Sequence, residues 1–112
     1  MRNAKDEFIT HVNRREILCC EIHVHSRDVE LTTGWVKSEL DMLLKNIDIE
    51  YDAGYGGQEL YGTIWYKDGT WSTRGEYDGS EWWEHHTVPT IPDHLNRIDK
   101  VRDEKLNKLI DE

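Results

Sequence analysis

From Ile17 to His25 the chain alternates: Leu18, Cys20, Ile22 and Val24 share one side, and Cys19, Glu21, His23 and His25 share the other. Such alternation marks a half-buried strand, because successive side chains of an extended chain point to opposite faces. Before it, Phe8, Ile9 and Val12 are spaced for a short amphipathic helix within residues 1–13, ended by Arg14-Arg15. After it, Ser26 to Gly34 is polar and reads as a loop. Leu40, Leu43, Leu44 and Ile47 then recur at i, i+3, i+4 and i+7, the stripe of a helix packed on a core. Ser38-Glu39-Leu40-Asp41 nearly matches a capping box, so that helix starts at Ser38 or as early as Thr33.

Ile47, Ile49 and Tyr51 alternate with Asp48, Glu50 and Asp52, which predicts another strand, broken by Gly54-Tyr55-Gly56-Gly57. Leu60–Lys67, Thr70–Tyr77 and Glu81–Val88 are β-rich, and Asp68-Gly69 and Asp78-Gly79 between them are two-residue hairpin signals. They predict a three-stranded antiparallel meander. Pro89 and Pro92 close it, and Leu95, Ile98, Val101, Leu106, Leu109 and Ile110 predict a C-terminal helix over 93–112. The expected architecture is one α+β domain. Its N-terminal helix covers 1–13, a mainly antiparallel sheet with one inserted helix covers 14–88, and the helices pack on one face.

The alternation also sorts the meander into two faces. Trp71, Thr73, Gly75 and Tyr77 oppose Thr70, Ser72, Arg74 and Glu76; Tyr61, Thr63 and Trp65 oppose Leu60, Gly62, Ile64 and Tyr66. Trp82-Trp83 puts one ring on each side. One face can enter the core while the other keeps its aromatics. Arg74 is the lone cation of the central strand, placed to satisfy a carboxylate or to stack on a Trp.

Charge changes this picture most. Between Asn46 and Glu84 stand nine of the ten Trp and Tyr residues and nine carboxylates, against only Lys67 and Arg74. That segment carries −7 of the chain's net −9. Asp and Glu are poor strand formers, so an acidic excess in strands points to a demand on the surface. Aromatic rings supply contact area and carboxylates supply directed charge, a pairing suited to recognition. The anchor pool is Tyr55, Tyr61, Trp65, Trp71, Trp82 and Trp83, with Asp68, Glu76, Asp78, Glu81 and Glu84 supplying charge. A net charge of −9 excludes binding that relies on neutralising phosphates, so neither direct nucleic-acid contact nor an anionic membrane is expected. The expected partner has a basic surface.

Other chemistry is thinner. His23 and His25 fall on one strand face and form the alternative, a metal pair that needs a third ligand. A second alternative is a small-ligand module in which rings and carboxylates hold a sugar or nucleobase. The glycine run lacks the Lys-Ser/Thr of a phosphate loop, and no cofactor is expected. Two cysteines, Cys19 and Cys20, make no disulfide framework, and no signal-like or membrane-length apolar run is present; the expected compartment is cytoplasmic. The cationic C-terminal segment leaves a homodimer open.

Residues 51–65, Asp68-Gly69-Thr70-Trp71 and 74–83 together resemble a pattern in small uncharacterised proteins of bacterial viruses and prophages. The resemblance implies a context rather than an activity. Small acidic viral proteins in a host cytoplasm bind and block host proteins, some by copying the charge of DNA. Fourteen Lys and Arg depart from a strict DNA mimic.

Overall fold

A computed structural model describes residues 1–54 and 56–95. Its elements are β1 (Arg2–Asn3), α1 (Ala4–Val12), β2 (Ile17–Val24), β3 (Arg27–Leu31), α2 (Lys37–Asn46), β4 (Glu50–Tyr51), β5 (Leu60–Tyr66), β6 (Trp71–Tyr77) and β7 (Ser80–His86). The main sheet has the order β3-β2-β5-β6-β7 and every pairing in it is antiparallel. The fold is α+β and strand-dominated, and the sheet stays open.

The meander forms as the two Asp-Gly steps predict. Asp78 and Gly79 both take positive φ, at 51° and 87°, and join Tyr77 to its partner Ser80 through a two-residue turn. That double positive φ is what the right-handed strand twist asks of a tight hairpin. The β5–β6 turn is longer than the two residues expected. The Tyr66 N–H donates to the Thr70 carbonyl at 2.9 Å, leaving Lys67, Asp68 and Gly69 in the loop.

Residues 26–34 depart from the loop expected there. Arg27-Asp28-Val29-Glu30-Leu31 itself alternates, and it pairs with β2 from Val24↔Arg27 to Cys20↔Leu31. His25, with φ 55°, turns the chain between the two strands. The strand expected over 47–52 shrinks to β4, which pairs with β1 apart from the main sheet. Helix α2 is capped at Val36, whose N–H donates to the Glu39 carboxylate at 3.1 Å. The C-terminal helix expected over 93–112 falls almost wholly outside the described residues.

The core lies on one face. Cys20, Ile22 and Val24 of β2 and Leu60, Ile64 and Tyr66 of β5 are buried there, together with Phe8, Val12, Leu43, Ile47 and Tyr51. One residue breaks the β2 alternation. The register slips between Ile17 and Cys19, so Ile17 is buried and Leu18, placed inside by strict alternation, is exposed. Two residues facing one is the signature of a β-bulge.

Polar groups enter this core in a chain. The Arg74 side chain is 1% exposed and donates to Glu7 at 2.5 Å, Tyr51 Oη at 2.9 Å and Glu81 at 3.3 Å. Its guanidinium also lies 5.1 Å from the Trp83 ring centroid, within cation–π range. Both readings of Arg74, carboxylate partner and Trp stacking, therefore hold. The Glu81 carboxylate accepts the N–H groups of Glu59 at 2.8 Å and Leu60 at 3.0 Å. The Tyr51 hydroxyl donates to Glu7, and burial followed by that bond pushes its pKa up to about 12. One network thus fastens α1 and β4 to the inner face of β6 and β7.

Removing one partner of a buried ion pair costs more than the pair itself contributes, because a charge is left without compensation. Arg74→Met is therefore expected to lower unfolding free energy by about 3–5 kcal/mol in urea denaturation. A loss under about 1 kcal/mol would show that the network is not holding α1 in place.

Candidate interaction face

The register that buries Ile22 and Ile64 sends the intervening residues to the side of the sheet opposite the core, which no other described helix or strand covers. Three cross-strand rows result. The first runs Cys19–Trp65–Trp71–His86. The second runs Glu30–Glu21–Thr63–Thr73–Glu84. The third holds Asp28, His23 and Tyr61, with Trp82 opposite Gly75 farther along. An acidic row is thus bordered by aromatic ones. Among the described residues no Lys or Arg occupies a paired strand position on this face.

Aromatic packing keeps the rings in place without hiding them. Trp71 stacks on His86 with centroids 5.5 Å apart, while Trp65 and Tyr61 stay 40% and 47% exposed. Trp82 lies across Gly75, where a Cβ would come within 2.6 Å of its indole, and its N–H donates to Glu84 at 2.8 Å. A glycine under a cross-strand aromatic ring is a known way of shielding bare backbone.

The anchor pool divides accordingly. Tyr61, Trp65, Trp71, Trp82 and Glu84 meet on the open face. Asp68 and Asp78 sit in hairpin turns at opposite ends of the strands. There Asp68 accepts the Thr70 hydroxyl and N–H, bonds that hold its carboxyl below the usual range. Glu76 lies at the end of the covered face and accepts the Gly79 N–H at 2.9 Å. Glu81 and Trp83 are buried on the covered side and cannot reach a partner. Tyr55 lies outside the described residues. Missing from the pool were Asp28, Glu21 and Glu30, and the alternation of 27–31 was the signal that could have found the first and last.

β5 and β6 pair only from Trp65↔Trp71 to Thr63↔Thr73, although both strands continue. Beyond that pair they part, and an open groove of about 710 Å³ lies between Glu21, Glu30, His23, Tyr61, Thr63 and Thr73. The backbone of Arg74 lines it too, since its guanidinium is shut away on the other face. Glu21 and Glu30 stand directly opposite one another, and among the described residues neither carboxylate has a hydrogen-bond or ion-pair partner. Like charges held opposite each other destabilise a sheet.

Three histidines bond hydroxyl groups. His11, His85 and His86 each reach a hydroxyl through Nε2, of Ser72 at 2.7 Å, Thr70 at 2.9 Å and Thr73 at 2.7 Å. A nucleophile–base–acid relay needs a carboxylate on the other ring nitrogen. Among the described residues the carboxylate beside His86, that of Glu84, approaches the same Nε2, at 3.8 Å. The metal alternative separates as well. His23 bonds Asp28, whereas His25 sits in the turn, 3.8 Å from Glu59. Among the described residues no group of three His, Cys, Asp or Glu is placed to hold a metal ion.

No family model matches the chain, and neither the curated proteins nor the solved structures yield a match. No helix among the described residues is long and apolar enough to cross a membrane.

His11 joins α1 to the covered face of the sheet. It stacks on Trp83 and shares the Ser72 hydroxyl with Tyr66. Burial first, then the charge of Arg15, lowers its pKa from 6.5. The unfolded chain therefore binds a proton that the folded one refuses. This contribution is complete above pH 6.5 and is lost as pH falls from there through the lower value of the folded protein. Urea midpoints between pH 8 and pH 5 should fall more steeply in the native protein than in His11→Gln; parallel curves would contradict this role.

Proposed function

We propose that this protein is a non-enzymatic binding protein whose open sheet face docks onto a basic surface of another protein and occludes it. The observation that carries the reading is the acidic row bordered by Trp65, Trp71, Tyr61 and Trp82 on a face that, among the described residues, holds no strand cation. Exposed rings beside uncompensated carboxylates cost stability in the free protein, and a basic partner would relieve both costs at once. Rings would anchor and carboxylates would steer, which makes association salt-sensitive. A net charge of −9 turns the face away from nucleic acid and anionic membranes.

The resemblance to small phage and prophage proteins supplies the biological frame: blocking a host protein in the host cytoplasm, as a takeover or anti-defence inhibitor. In the partial-DNA-mimic form, the occluded surface would be a nucleic-acid-binding groove. The groove beside Tyr61 favours one second reading, a small sugar or nucleobase ligand.

Pull-down from a bacterial lysate, at low and high salt, tests the reading against a charge-reversed Glu21→Lys/Glu84→Lys variant. The expected result is a basic protein retained at low salt, weakened at high salt and missing with the variant. Equal retention by both proteins, or no specific partner at any salt, contradicts it. Thermal stabilisation by a sugar or nucleoside without protein capture would favour the second reading.

A further inference from the structure

We infer that the groove where β5 and β6 part receives an arginine side chain of the partner, its guanidinium held between Glu21 and Glu30 and laid against Tyr61. The inference rests on the proposed docking of a basic protein and names the chemistry that the face selects.

Three independent features meet there. The first is space: an open groove of about 710 Å³ on a face otherwise roofed by rings. It exists because pairing stops at Thr63↔Thr73. The second is charge. Glu21 and Glu30 are cross-strand partners, and among the described residues no cation or donor engages either of them. Directly opposed residues hold their Cβ atoms about 5 Å apart, so one planar fork can reach both carboxylates. The third is the flank. Tyr61 is 47% exposed, and among the described residues the one aromatic ring paired with it is that of His23, tilted with centroids 6.0 Å apart. Asp28 is already taken by His23, which leaves the Glu21–Glu30 pair as the uncompensated charge in the groove.

Arginine suits this arrangement better than lysine. The guanidinium carries five donors in a plane, bridges two carboxylates and stacks on a ring face. An ammonium is a compact point charge that keeps more of its water. The partner's other contacts would then fall along the Trp65–Trp71 row and at Glu84.

The test titrates the full-length protein with N-acetyl-arginine amide, its lysine counterpart and its uncharged citrulline counterpart, followed by amide chemical shifts. The expected result is saturable binding near about 1 mM, the strength of one good side-chain contact. The shifts should centre on Glu21, Glu30 and residues 61–63. Lysine should bind at least about threefold more weakly, and citrulline not at all. Glu21→Gln/Glu30→Gln should weaken arginine binding by about tenfold or more. That variant should melt no lower than the native protein, since the exchange removes a repulsion, and Tyr61→Leu gives a second, charge-neutral check. Scattered shifts, equal binding of citrulline, or unchanged binding by the double variant would overturn the inference. If that happened while a basic protein were still captured through the Trp65–Trp71 row and Glu84, the broader docking reading would stand and only the arginine assignment would fall.

Discussion

The constraint on which the structure turns is the burial of one positive charge inside a thin sheet. Arg74 projects to the covered side, where water cannot solvate it, and the fold must bring it anions. Glu7 comes from α1 and Glu81 from the next strand, while Tyr51 comes from β4 and bonds both Arg74 and Glu7. A small domain with few aliphatic residues thus orients its helix and its outer strands by an ionic and aromatic centre. Phe8 meets Trp83 edge-on at 6.3 Å beside that centre, so the apolar and polar parts of the core are one cluster.

The same centre shapes the outer face. Glu81 accepts the N–H groups of Glu59 and Leu60 near the point where β5 leaves β6. Backbone donors at the start of β5 are thereby satisfied by a side chain instead of by the neighbouring strand. β5–β6 pairing has already ended at Thr63↔Thr73, and the groove opens on the opposite side. Gly62 completes the arrangement, since a Cβ there would come within 2.9 Å of both the Trp83 ring and the Glu21 carbonyl. Inner polar packing and the outer groove are therefore linked through Glu81 and Gly62.

Much of this was legible in the chain. Alternation placed Tyr61, Thr63 and Trp65 against Leu60, Gly62, Ile64 and Tyr66, and it split Trp82 from Trp83; the structure keeps both divisions. Asp-Gly steps marked where both hairpins turn, and at Asp78-Gly79 the two residues take the paired positive φ angles that few dipeptides tolerate, whereas the first turn is one residue longer than expected. What escaped the reading depended on distant partners. Glu81 looks like a surface carboxylate until Arg74 and the start of β5 are seen beside it. The bulge that exposes Leu18 leaves no local trace, because an extra residue in a strand costs nothing in composition. β3 was hidden by its charges: edge strands carry them to discourage pairing with other chains, and the same charges make a segment read as loop.

The central claim is that anions and exposed rings share one face of the sheet. Ionic quenching of tryptophan fluorescence probes that juxtaposition without knowing any partner. Carboxylates around Trp65, Trp71 and Trp82 should concentrate caesium and repel iodide. At equal concentration and low ionic strength, caesium should then quench beyond its ordinary efficiency relative to acrylamide, and iodide should fall short of its own. Iodide quenching as effective as for free indole, or no ion-specific difference at all, would contradict the account.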